Sequence, residues 1–274
     1  RRSSDLFAGT LKNNTSNAEA LTITAGAGDV MFTGAVGAPT TNGAIGALGI
    51  SNTGNVTFTN TVDASSVSTA TGSTLRIKGG RVTTTWAQWY GGDVVLDNAL
   101  QSTTLNTTNS AVNFRGFVKN FAATAQSLTV QAGSGDVTFV GVVGATGNAL
   151  GDVVVNSEGV TTIESTVDAA SLKTDVNGVD PATLGGRVVI QGGRISTSGE
   201  QHYAELVKLG NANHATELKT NNSHVTFDKA IVNADSHLPQ DLTINAGTGH
   251  VTFTGVVGED AVVASAKNGA LGDV

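Results

Sequence analysis

The sequence predicts an all-β chain wound as a parallel β-helix, a β-solenoid of about 20 residues per coil. Three observations predict it. A segment of 17 residues recurs three times in near-copy. A shorter Val-x-Phe marker recurs inside each long unit. The composition suits many short strands joined by tight turns, with 35 Gly, 3 Pro, only 14% charged residues and abundant Thr, Val, Ser and Asn.

The long copies are LTITAGAGDVMFTGAVG at 21–37, LTVQAGSGDVTFVGVVG at 128–144 and LTINAGTGHVTFTGVVG at 242–258, offset by 107 and then 114. Between them Val62-Asp63-Ala64 returns as Val167-Asp168-Ala169, offset by 105, and Gly79-Gly80-Arg81 returns as Gly192-Gly193-Arg194, offset by 113. Tyr90, Leu105 and Phe114 match Tyr203, Leu218 and Phe227 at that same 113. The jump from 105 to 113 places one insertion at 175–183, which holds Asn177-Gly178 and Pro181, all turn formers. Loops are expected there and at 37–44, 144–149 and 258–270, where unit lengths differ.

The smaller marker starts at Val30, Val56, Leu75, Val94, Val112 and Val137, in steps of 26, 19, 19, 18 and 25. Apolar residues alternate with polar ones along it, so one face of each strand is buried and one is wet. A single strand of this kind cannot bury its apolar face, but stacked coils can. Roughly 13 coils over about 60 Å are expected at about 4.8 Å per coil. The chain reads as one continuous solenoid, 1–274, with a partial unit at about 1–20, full units at 21–127 and 128–241, and a partial unit at 242–274. Both ends fall inside a unit, so a longer parent chain is expected.

The net charge of −7, with 15 Lys and Arg against 22 Asp and Glu, argues against nucleic acid as a partner. No run of 18 apolar residues would form a membrane-spanning helix. Cysteine is absent, and a large repetitive core needs no disulfide.

The repeats at 242–258 and 192–199 resemble those of filamentous-haemagglutinin-like giant bacterial surface proteins, the β-strand-repeat family. The resemblance covers nearly the whole chain. It implies a right-handed helix, secretion by a two-partner or autotransporter-type route, and a structural or adhesive role at the cell surface. The partners it implies are further repeats or other copies of the chain, and glycans of host or neighbouring cells or matrix. A self-assembling extracellular filament or sheath subunit is the alternative, and a glycan-processing β-helix enzyme a weaker one.

Catalysis is not expected, because the carboxylates do not converge. Asp29 and Asp136 share a corner that carries His250 in the third copy, which reads as turn chemistry. Asp63 and Asp168, a unit apart, read as acceptors of backbone hydrogen bonds at strand ends. No cofactor or metal site is expected: the Gly-x-Gly-Asp corners are too far apart for a calcium ladder. His202, His214, His224, His237 and His250 show no metal spacing, although His214 and His224 could meet on adjacent turns. The best contact candidates for a glycan or partner are the aromatic cluster Trp86, Trp89 and Tyr90, with Arg81 and Arg194 after the Gly-Gly pairs.

Overall fold

A computed structural model describes residues 4–13, 17–38, 43–175, 186–235 and 239–258. The expected loops at 37–44, 175–183 and 258–270, both chain ends and His237 fall wholly or partly outside these residues. The described residues form 27 strands and no helix, and their strands pair in parallel throughout.

The chain visits three faces in turn. The first face carries Asp5–Phe7, Val30–Phe32, Asn55–Phe58, Thr74–Ile77, Asp93–Leu96 and Val118–Asn120. The second carries Arg81–Thr84, Ser102–Thr107, Ser127–Gly133 and Leu150–Ser157. The third carries Gln88–Tyr90, Val112–Phe114, Val137–Phe139, Val160–Ile163, Arg187–Ile190 and Leu206–Leu209. Period-two alternation turns every second side chain inward, and these residues make one continuous apolar core.

One inward column runs Leu11, Val36, Val62, Val82, Leu105, Val130, Val155, Thr174, Tyr203, Phe227, Phe253. Among the described residues that is about ten turns of about 24 residues, roughly the coil length expected though a few residues longer, and a stack of about 48 Å. The difference has a specific cause. Val30, Val56, Leu75 and Val94 stack in one column, and the next residue in it is Val118. Val112 belongs to the third face, between Gln88 and Val137. The 18-residue step from 94 to 112 is therefore two-thirds of a coil.

The same ladders show that the sequence unit and the coil are out of phase. Val30 is followed on its own face by Val56, Leu75, Val94 and Val118, four full turns, and Val137 lies two faces further on. Val137 is followed by Thr161, Val188, Val207 and Ile231, and Val251 again lies two faces further on. Each unit spans four and two-thirds coils rather than the five expected, so equivalent residues shift by one face from unit to unit. Phe32 lies on the first face, Phe139 on the third and Phe253 on the second.

Aromatic columns fill the core where the marker recurs. Phe7 and Phe32 stack at 4.7 Å, Phe114 and Phe139 at 4.8 Å, and Tyr203 and Phe227 at 5.0 Å. Two buried polar units sit beside them at the 113 offset. Gln88 Nε2 donates to Asn106 O at 2.9 Å, and Tyr90 Oη donates to Gln88 Oε1 at 2.8 Å. Gln201 donates to Lys219 O at 2.9 Å, and Tyr203 Oη donates to Gln201 Oε1 at 3.0 Å. With both partners present, neither amide is left unpaired in the core. Tyr90→Phe orphans the Gln88 oxygen and is expected to cost about 1–3 kcal/mol in a denaturation experiment.

The Gly-Gly pairs are explained by backbone crowding. A Cβ on Gly79 or Gly192 would lie 2.1 or 1.8 Å from the backbone of Asn60 or Ser165. Gly80 and Gly193 take φ of +70° and +74°, a region costly for other residues. The Gly-Asp corners fasten the next coil rather than their own turn. Asp29 Oδ1 accepts from Asn55 N at 2.8 Å and Asp136 Oδ1 from Val160 N at 2.7 Å. At the third copy His224 Nδ1 accepts from His250 N at 3.0 Å.

Candidate functional site

The five predicted contact residues do not form one site. Trp89 lies outward on the third face and Trp86 just before it, 44% and 65% exposed. Tyr90 leaves the cluster: the alternation of Gln88–Tyr90 turns it inward, where it is fully buried and stacks on Phe114 at 5.4 Å. Burial also pushes its phenol well above the ordinary range.

Arg81 and Arg194 are likewise engaged. Arg81 donates to both oxygens of Asp63, at 2.8 and 3.0 Å, on the second face. Arg194 donates to both oxygens of Asp168, at 3.0 and 2.7 Å, on the first face. The bond to Asp168 raises the Arg194 guanidinium pKa further. Asp63 and Asp168 thus take side-chain guanidinium partners rather than the backbone donors expected of them. The pairing has a trace in the sequence: both acids and both arginines recur, and their separation grows from 18 to 26 by the eight inserted residues.

The histidines also pair differently from expectation. His224 stacks on His250 at 5.2 Å and 4°, whereas His214 lies 3.0 Å from Gln240 Nε2. A coil at this level is about 26 residues, so the ten-residue step from His214 to His224 cannot complete one.

What surrounds Trp89 is a band of exposed aromatic rings and cations. Arg115 lies 5.5 Å from the Trp89 ring centroid, Lys119 5.9 Å from Phe117, and Arg76 3.3 Å from Phe121. Phe117 and Phe121 are about half exposed. The order of strands spreads these pairs from the third face across the first. Trp89 sits on the third face, Phe117 between the third and first, Lys119 on the first, and Phe121 just past Val118–Asn120. Arg76 also pairs with Asp97, Nε to Oδ2 at 2.7 Å, and Lys119 pairs with Asp93 at 2.6 Å.

Two hollows flank Arg76. One, of about 340 Å³, is lined by Met31, Thr57, Val95 and Phe121. The other, of about 630 Å³, is lined by Lys78, Asp97, Asn98, Gln101, Thr124 and Gln126. Charge-assisted donors beside an apolar ring can grip a sugar or a carboxylate.

The band belongs to the first full unit alone. At the 113 offset Arg76, Trp86, Trp89, Arg115, Phe117, Lys119 and Phe121 become Val189, Gly199, His202, Asp228, Ala230, Val232 and Ala234. The backbone is conserved across the change: Arg115 N donates to Tyr90 O as Asp228 N donates to Tyr203 O. These side chains are therefore not needed to build the coil. Five of them carry no signal within their own unit and stand out only as differences between one unit and the next.

Among the described residues no helix is long and apolar enough to cross a membrane. The architecture is a β-solenoid of about ten turns. Compared with known proteins, the chain matches no protein family, no curated protein and no solved structure.

Proposed function

We propose that this chain is a segment of a large secreted bacterial cell-surface fibre of the filamentous-haemagglutinin-like kind, in which the solenoid gives reach and rigidity and the aromatic–cationic band gives adhesion. The observation that carries the reading is the band itself. It adds rings and positive charge to one unit of an acidic, aromatic-poor repeat, without altering the backbone beneath. Its ligand class is an acidic glycan, gripped by stacking on Trp89 and Phe121 and by Arg115 beside Trp89. A non-catalytic role is supported by Asp63 and Asp168, which lie on different faces and are each taken up by an arginine.

Binding of the purified chain to an array of carboxylated and neutral glycans tests this. Trp89→Ala with Arg115→Ala is expected to weaken acidic-glycan binding about tenfold or more, at unchanged thermal stability. Unchanged binding in that variant would remove the band from the proposal. Electron microscopy of the native material separates a single slender fibre from the regular lateral bundles of a sheath.

A further inference from the structure

One corner of the second full unit is acidic where the same corner of the first is neutral. Thr53 N donates to Gly26 O, and Glu158 N makes the equivalent bond to Gly133 O. Ala70 N donates to Ile50 O, and Asp175 N to Val155 O. Gly91 N donates to Thr69 O, and Ala204 N to Thr174 O, which sets Glu205 in the place of Gly92. Three successive coils have thus exchanged Thr53, Ala70 and Gly92 for Glu158, Asp175 and Glu205. The fold closes this corner without acids in one unit, so it does not require them in the other.

Two of the three are buried with unpaired carboxylate oxygens. Asp175 is 4% exposed and neither carboxylate oxygen has a hydrogen bond. Glu205 is 1% exposed and its Oε2 has none. Asp175 also holds a φ of +50°, uncommon outside glycine. Burial, and then the charge of Asp175, push the Glu205 carboxyl up to about 8; burial, and then Glu158, push Asp175 up. Buried carboxylates are ordinarily paired or bound to a metal.

We propose that Asp175 and Glu205 hold a divalent cation, calcium by preference, with Glu158 adding negative charge at the rim. Hard, oxygen-seeking Ca²⁺ accepts carboxylates, backbone carbonyls and water in a loose shell. No group of three metal-ligating side chains converges among the described residues, so the remaining ligands are carbonyls and water. Two carboxylates with such a shell give an affinity of order 0.1–1 mM, the range of extracellular calcium modules. The assignment is independent of the adhesive reading above.

Calorimetric titration of the chelator-treated chain with CaCl₂ at pH 8, with parallel melting curves, tests it. The expected result is one site per chain and a higher melting temperature in millimolar calcium. Both are lost in Asp175→Asn with Glu205→Gln. Glu205→Gly, which restores the residue of the first unit, guards against a folding defect and should weaken binding tenfold or more. Absence of calcium binding by the parent chain overturns the proposal, as does binding that survives in both variants. A proton in place of the metal gives a different signature: no response to calcium, and stability lost as pH rises from about 4.5 through about 8 as Glu205 ionises beside Asp175 and Glu158. That outcome also overturns it.

Discussion

Phe114→Ala is expected to lower stability by about 3–5 kcal/mol. The Phe114 ring is fully buried between Tyr90 at 5.4 Å and Phe139 at 4.8 Å, nearly parallel to the latter. Its backbone is held in both directions, Phe114 against Tyr90 below and Phe139 above. The parallel ladders keep the coils at fixed spacing, so the gap cannot close by collapse. Solenoid stability is a sum of repeat terms and nearest-neighbour interfaces, and this one deletion weakens two interfaces at once. Phe253 makes a contrast, since it stacks on Phe227 at 5.1 Å but is over a third exposed, so its removal should cost much less. Urea denaturation of both variants checks the difference, and limited proteolysis of Phe114→Ala should cut first near residues 90–139. Equal losses for the two variants would contradict the column model of the core.

Much of this fold was legible because a solenoid writes its geometry into a period. The three copies beginning at Leu21, Leu128 and Leu242 and the alternation in each marker strand are sufficient for stacked parallel coils. The coil length was legible only roughly, for a physical reason. Every face demands the same kind of inward residue, so a Val-x-Phe on one face is indistinguishable in sequence from one on another. Val112 follows Val94 in the marker series but stacks on Gln88. Only register separates the faces, and register is a property of the backbone pairing. The rotation of each unit by one face was hidden for the same reason.

The site divides along a similar line. Trp86 and Trp89 were legible because two Trp in a chain with 5% aromatics stand out. Tyr90 was misplaced by proximity in sequence, where strand alternation sends it to the opposite side of the sheet from Trp89. Arg76 and Phe121, 45 residues apart, lie two coil steps apart with one coil between them, and no spacing rule at a single coil length would have joined them. The acidic corner needed the register too. Glu158, Asp175 and Glu205 are separated by 17 and 30 residues, and the larger gap contains the insertion.

The second large effect belongs to the arginine–aspartate pairs. Arg194→Met is expected to cost about 3 kcal/mol, the lower end of the range for breaking a buried pair, because the guanidinium is about a third exposed. The cost arises from Asp168, whose carboxylate is only 10% exposed and would lose both of its charge-assisted bonds. Adding Asp168→Leu to Arg194→Met should therefore recover most of the loss, since replacing a whole buried pair by apolar groups is nearly neutral. A double-mutant cycle in urea measures the coupling, and a loss below about 0.5 kcal/mol for Arg194→Met would place the pair among ordinary surface ion pairs. The rotation of the units gives a further test. Arg81 and Asp63 form the same pair on the second face, four and two-thirds coils or about 22 Å from the first-face pair. They share no partner with Arg194 and Asp168, so the losses from Arg81→Met and Arg194→Met should add to within about 0.5 kcal/mol. Strong coupling between them would mean that a change at one pair is transmitted through the intervening coils, against a stack in which each repeat contacts only its neighbours.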